Sequence, residues 1–272
     1  MKISIIVSTY NRPDALSAVM LAFENQMGDD PSNWELLIAD DGSSDETKVV
    51  IDGYRNKFQE RLKHVWHPDL GFRLAEIRNL AVTKADGDYF VFLDGDCIPM
   101  PDFILKHREL AEKGWVVAGN RILFSDKFTS QLLSSDDPII VCRWSVIQWF
   151  TAKLRGNVNS SIGWVRLNLT RWRQHRACDW KLLRGCNIGI WRNDLIKVNG
   201  FDAEFSGWGY EDSDLAVRLL RSGIRLKDGR FAVPVLHLWH KENDRSAQVE
   251  NWEKFKKSLE NTSSYDVKGL QI

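Results

Sequence analysis

Residues 1–120 alternate between short apolar runs and segments carrying helix signals, and this alternation limits the possible folds more than any other feature. Ile3–Ser8, Glu35–Ala39, Leu62–Trp66 and Asp88–Leu93 read as buried strands. Each leads into helix punctuation: Pro13 at a first turn, the acids and serines of "DDGSSDET", the stretch "LAEIRNLAVTKA", and Pro101 with Gly114 bracketing a helix. Strands alternating with helices make right-handed βαβ units and a mostly parallel sheet with helices on both faces. Such sheets bind ligands at the carboxyl ends of their strands. Here those ends carry Thr9, Tyr10, Asn11, Asp40, Asp41, Asp94 and Asp96. The expected fold class is therefore α/β, with a Rossmann-like nucleotide-binding half.

Composition removes other classes. The formal charge is zero, so no global field favours nucleic acid. No run approaches the ~18 apolar residues of a membrane span, and the N-terminus reads as a first strand, not a leader. Four cysteines without C-x-x-C spacing suggest neither zinc nor a disulfide framework, which points to a reducing, cytoplasmic location. The neutral total hides an asymmetry. Between Arg143 and Arg184 there are nine Arg or Lys residues against one acid, Asp179, together with Trp144, Trp149, Trp164, Trp172 and Trp180.

The sharpest local feature is Asp94-Gly95-Asp96 at the end of an apolar strand. Two carboxylates one residue apart suit a shared Mg²⁺ or Mn²⁺, which leaves further positions for substrate phosphates. Gly95 would let the chain turn so that both face one ion; the plainer alternative is a solvated turn. Phosphotransferases with D-x-D-x-T need a Thr where Ile98 stands, and nucleotidyltransferases need a Gly-rich first loop, whereas "STYNRP" has no Gly. Asp41 could accept from a base or ribose, or simply mark a helix start. Arg73 and Arg78 suit a pyrophosphate through bidentate contacts, or one of them is an ordinary helix-surface arginine. Trp208-Gly209-Tyr210-Glu211-Asp212 offers a flat ring for a sugar beside acids able to act as a general base. His237 and His240 are metal-ligand candidates, with the choice between them open.

Taken together, "SIIVSTYNRP", "DDGSSD", "AEIRNLAV", "FLDGDCIP" and "GWGYEDSDLAVRLLRSG" resemble a family 2 glycosyltransferase of the GT-A fold. The second half also resembles the C-terminal part of β-1,4-galactosyltransferases and of the bacterial chondroitin polymerase type. The resemblance covers residues 1–120 and 183–245 of one domain, 1–245. It leaves 121–182 as a basic, Trp-rich insert and 246–272 as a polar tail, a surface helix with a frayed end.

The resemblance implies a metal-dependent, inverting transferase that moves a sugar from a nucleotide sugar, UDP-linked, to a saccharide or lipid-linked saccharide in bacterial surface-glycan synthesis. Asp41 would contact the base and Asp94 the ribose or metal, with Thr9, Tyr10, Asn11 and Arg12 beside them. Asp96 would be the principal ligand of Mn²⁺ or Mg²⁺, with His237 and then His240 as further ligands. Arg73 and Arg78 would face the diphosphate. Trp208, with Gly209 and Tyr210, would stack on the acceptor, Glu211 would orient it, and Asp212 would be the base. Two departures stand out: Ser213 interrupts the acidic run, and a second His occupies the place of an Asp. Segment 143–184 would touch a membrane interface or an anionic acceptor, or pack on its own tryptophans with a solvated basic face. The alternative in a different class is a catalytically silent glycan- or nucleotide-binding module on the same fold.

Overall fold

The computed structural model describes residues 1–163, 165–167, 169–242, 244–261, 263 and 266–270. Trp164 of the basic segment lies outside the described residues. The four apolar runs form β1 (Ile3–Thr9), β2 (Trp34–Asp40), β3 (Leu62–Trp66) and β4 (Tyr89–Asp94). Between them lie α1 (Pro13–Glu24), α2 (Asp45–Gly53), the single turn α3 (Arg55–Phe58) and α4 (Leu74–Lys84). After β4 come β5 (Cys97–Pro99), α5 (Phe103–Leu110), β6 (Trp115–Ala118), β7 (Asn120–Leu123), α6 (Asp126–Leu133) and α7 (Val146–Leu154). The last third adds β8 (Asn187–Trp191), α8 (Arg192–Lys197), α9 (Glu211–Arg221), β9 (Arg225–Asp228), β10 (Pro234–His237) and α10 (Gln248–Glu260).

The main sheet has the order β3-β2-β1-β4-β8-β6-β9. It is mostly parallel, but β8 runs antiparallel to both β4 and β6. All seven residues of β1 are buried, as expected of a central strand covered on both faces. Successive side chains point to opposite faces and so feed two cores. Ile3, Ile5 and Val7 pack with α1, whereas Ile6, Phe90 and Phe92 pack with residues of α4, α8 and α9.

A second sheet of three short strands, in the order β5-β10-β7, places β10 within "FAVPVLHLWHKEND", a stretch that reads as a last strand, between β5 and β7, which the sequence does not announce. These two strands, of three and four residues, carry too little periodicity to be seen in advance. This sheet claims β7 from the segment expected to be an insert, and Phe124 bridges to Val158 farther along it. The helix expected up to Gly114 ends instead at Leu110, where the chain turns to enter β6.

The tail holds the expected surface helix, and that helix is anchored. Helix α10 packs on the domain through the fully buried Phe255 and Asn251, with Phe255 joining Phe205 and Val217 in a small third core. The tryptophans of the basic segment are largely structural. Trp149 is buried, Trp144 packs on it at 5.3 Å, and Trp180 lies against Phe255 at 5.0 Å.

Candidate active site

The carboxyl ends of β1, β2 and β4 open into one cleft of about 1060 Å³, with Asp41, Asp94, Asp96, Trp208, Glu211 and Asp212 in its lining. The part that gathers potential metal ligands is built by strand pairing. Asp96 sits in the turn between β4 and β5. Strand β10 pairs antiparallel to β5 with His237 opposite Cys97, and the Leu238 amide donates to the Asp96 carbonyl at 2.9 Å. This register brings the late histidines to the early aspartates. His237 Nε2 lies 3.6 Å from Asp96 Oδ1, and His240 Nε2 lies 3.3 Å from Asp96 Oδ2. Ligand atoms of Asp96, His237 and His240 all fall within 4.8 Å of one another, as do those of Asp94, Asp96 and Cys97. Burial lowers the His237 pKa, against the pull of Asp96, and His240 Nδ1 faces the Lys241 carbonyl at 2.7 Å, which leaves Nε2 free to ligate. Both histidines therefore meet at Asp96, and both are candidate ligands. An imidazole-rich, carboxylate-containing set fits Mn²⁺ better than the oxygen-seeking Mg²⁺.

Gly95 earns its place for a reason other than the one expected. Its φ is not positive; instead its amide donates to the Ser8 carbonyl at 2.7 Å, and an added Cβ would sit 2.8 Å from that oxygen and 3.1 Å from Thr9 Cβ. Gly95→Ala is thus expected to push the aspartate turn off β1, at a cost of about 1–2 kcal/mol. An unchanged thermal melting curve would refute the close-approach argument.

The two arginines expected at a diphosphate are placed differently. Arg73 turns its guanidinium to Glu76 and the Pro68 carbonyl, away from the cleft, and its backbone amide donates to Asp41 at 2.9 Å. Arg78 lines the floor of the cleft, fully buried behind the carboxylates. It donates to Asp94 Oδ1 at 2.9 Å and to the Gly185 carbonyl at 3.0 Å, and its Nη1, with no hydrogen-bond partner, lies 3.9 Å from Glu211 Oε1. It ties the aspartate turn to the α9 acids. The cleft cations that sequence reasoning missed are Arg121, Arg184 and Lys241. Among the described residues none of the three has a carboxylate within ion-pair distance, which leaves them available to an anion. Neither periodicity nor a motif marks them; only the fold brings them to the site.

At the end of β1, Thr9, Tyr10 and Arg12 line the cleft, with the Tyr10 hydroxyl donating to Asp69 at 2.8 Å and Arg12 paired to Asp14. Asn11 does not line it. Its Oδ1 accepts from the Ser44 amide at 2.9 Å and its own amide donates to Ser43 Oγ, so it locks the β1 loop to the start of α2. Asp41 is buried against His67 Nε2 at 2.6 Å.

The α9 end is strained and braced. Tyr210 has a left-handed φ of 72°, uncommon for a bulky residue. It is held there by α10: the Tyr210 ring stacks on Phe255 at 5.5 Å, and Asn251 Nδ2 donates to the Ser206 carbonyl at 3.0 Å. The helix expected in the tail is thus the support of this loop. Trp208 lines the cleft with the Arg245 guanidinium 4.8 Å over its ring. Asp212 Oδ2 accepts from the Gly185 amide at 2.8 Å, which fixes its orientation. Burial, helped by the charge of Asp212, raises the Glu211 carboxyl from 4.5 to about 7, against the pull of Arg78.

Comparison with known proteins places this cleft in a class. The family described as glycosyl transferase family 2 matches residues 4–171, and one described as an N-terminal domain of galactosyltransferase matches residues 168–241. The chain belongs to glycosyl transferase family 2 and has the GT-A fold. It is 27% identical over 237 residues to a chondroitin synthase of Pasteurella multocida, covering 85% of this chain but 24% of that protein. It is also 27% identical over 263 residues to a validoxylamine A glucosyltransferase of Streptomyces hygroscopicus, covering 93% of this chain and 56% of the relative. The chain thus spans only a quarter to about half of these relatives. Among solved structures, residues 1–349 of TarS from S. aureus superpose with a TM-score of 0.61 at 17% identity, covering 98% of this chain and 67% of that one. GalNAc-T7 with UDP, GalNAc and Mn²⁺ gives 0.64 at 14% identity, covering 89% and 44%. Among the described residues no helix is long and apolar enough to cross a membrane.

Proposed function

We propose that this protein is a divalent-cation-dependent, inverting hexosyl- or N-acetylhexosaminyltransferase. It uses a UDP-linked sugar and glycosylates a saccharide or lipid-linked saccharide on the cytoplasmic side, in the assembly of bacterial surface glycan. One observation carries the reading: a single cleft has Asp96 and His240 in its wall, with the buried His237 beside them within ligand distance, and Glu211 with Asp212 at another place, joined by Arg78. A silent binding module has no use for both sets. UDP as carrier is supported by the similar fold of TarS in complex with UDP or UDP-GlcNAc, and Mn²⁺ by GalNAc-T7 and by a mannosyltransferase of Pyrobaculum calidifontis with GDP-Man and Mn²⁺.

In this reading Asp96, His237 and His240 would hold the cation, with Asp94 as neighbour. When bound, the cation offsets the negative charge that develops on the departing diphosphate. Arg121, Arg184 and Lys241 add positive charge along the cleft, and Asp41 meets the base. Trp208 offers its ring to the acceptor and Glu211 orients it. Asp212, its carboxylate aimed by the Gly185 amide, takes the proton of the acceptor hydroxyl. The oxygen forms its bond to the anomeric carbon as the bond to the diphosphate breaks, and the leaving group carries away the electron pair. One displacement inverts that carbon.

The test is thermal stabilisation by a panel of UDP-sugars with and without Mn²⁺. At least one sugar should stabilise the wild type only with the ion, and Asp96→Asn should weaken Mn²⁺ binding tenfold or more. No stabilisation by any UDP-sugar would refute the donor assignment. Binding without turnover over a broad set of acceptors would favour the silent module.

A further inference from the structure

We infer that α7 is a docking helix for an anionic membrane surface. Its nine residues are apolar on two opposite faces, a pattern expected of a buried helix, yet α7 lies at the surface. One face, Trp149 and Ala152, is sealed into the core. The other leaves Val146, Ile147, Phe150 and Leu154 exposed at 50%, 76%, 57% and 73%. These positions, i, i+1, i+4 and i+8, share one side of the helix. Isolated exposed apolar residues need no explanation, but four on one face do.

Charge selects the occupant. From Pro138 to Cys178 there is no Asp or Glu, while seven Arg or Lys residues occur. Arg143, Arg166 and Arg176 are paired to Asp137, Asp102 and Asp179, and the buried Arg173 is spent on backbone carbonyls. Among the described residues this leaves Lys153 and Arg155, at the end of α7, and Arg171 without a carboxylate partner. An exposed apolar face bordered by unpaired cations suits an interface of acyl chains and anionic headgroups. A second copy docked symmetrically through the same face would set these cations against their own equivalents, which offers no such complement. Helix α6 connects the two regions: Asp126, Thr129, Ser130 and Leu133 line the cleft, and the chain then runs through the turn Ile140–Arg143 into α7. Docking therefore sets a cleft wall beside the lipid surface. That this wall serves a lipid-linked acceptor rests on the proposed function, whereas the docking itself does not.

The full chain is sedimented with phosphatidylcholine vesicles, with and without phosphatidylglycerol. Wild type should pellet with the anionic vesicles only, and less as salt rises. Ile147→Glu combined with Phe150→Glu alters exposed positions only, so its melting temperature should stay near wild type while vesicle partitioning falls tenfold or more. Arg155→Glu should lower partitioning about tenfold. The inference is overturned if wild type stays in solution with anionic vesicles, or if the double variant pellets like wild type. Equal pelleting with neutral vesicles, or a wild-type dimer that the double variant dissolves, would overturn it too. None of these readouts depends on sugar transfer, so failure here is separable from failure of the enzymatic assignment.

Discussion

Asp212→Asn is expected to lose two to four orders of magnitude in kcat while binding a UDP-sugar with Mn²⁺ as tightly as wild type. The asymmetry follows from where the residue sits. Asp212 opens α9, away from the cluster of Asp96 with the two histidines, so removing its charge leaves the cation ligands intact. An amide is nearly isosteric, and its oxygen can still accept from the Gly185 amide at the 2.8 Å position, so the loop should keep its shape. What the amide cannot do is take a proton. General-base catalysis is worth about 10²–10⁴-fold, and that range is the expected loss. The measurement is steady-state kcat beside donor affinity from thermal shift or calorimetry. Activity within a few-fold of wild type would remove Asp212 from the chemistry and transfer the base role to Glu211, whose raised pKa near neutrality suits a base equally well.

The parts of this site that sequence makes legible share one property: each ends or opens a strongly patterned element. Asp41, Asp94 and Asp96 terminate apolar runs, and Glu211 and Asp212 open an amphipathic helix, so their position follows from the element itself. Arg73 and Arg78 show where that reasoning stops. They lie five residues apart near the start of one helix, yet one turns outward to Glu76 while the other is buried behind Asp94. Helical pitch and the neighbouring strands decide this, and a motif does not contain them. The convergence of His237 and His240 on Asp96 was equally hidden, because it depends on a three-residue pairing between β5 and β10. Strand β9 was missed because "RLKD" reads as a polar loop. Its buried Lys227 and Asp228 are tolerated in the sheet because Glu112 and Arg230 neutralise them. The tryptophans of the basic segment invited an interfacial reading, but Trp144 and Trp149 build core, and the exposed apolar face belongs to Ile147, Phe150 and Leu154.

Glu211→Gln should make the protein more stable at alkaline pH while impairing acceptor use. Folding moves the Glu211 carboxyl from 4.5 up to about 7, mainly through burial. A carboxyl whose folded pKa lies above its unfolded one favours the folded state fully at low pH, below about 4.5. That favour is lost as pH rises through 7, where the buried group must carry charge beside Asp212. Gln is uncharged throughout and escapes the penalty. At 1.36 kcal/mol per unit, and allowing for charge shared with Asp212, the variant should gain roughly 2–3 kcal/mol at pH 8 and almost nothing at pH 4. For a chain of this size that is a rise of about 4–10 °C in Tm, read by calorimetry in EDTA so that no bound cation alters the field. A pH-independent Tm difference would contradict the buried, proton-holding carboxyl. Activity runs the other way. With Asp212 as base, the variant should keep its donor affinity and raise the acceptor KM, because the amide replaces the group that orients the acceptor. A complete loss of kcat, together with loss of an acid limb near pH 7 in kcat/KM, would instead identify Glu211 as the base. Either outcome assigns the two acids separate duties, since a carboxylate kept at a cost in folding stability is retained for what it does in the cleft.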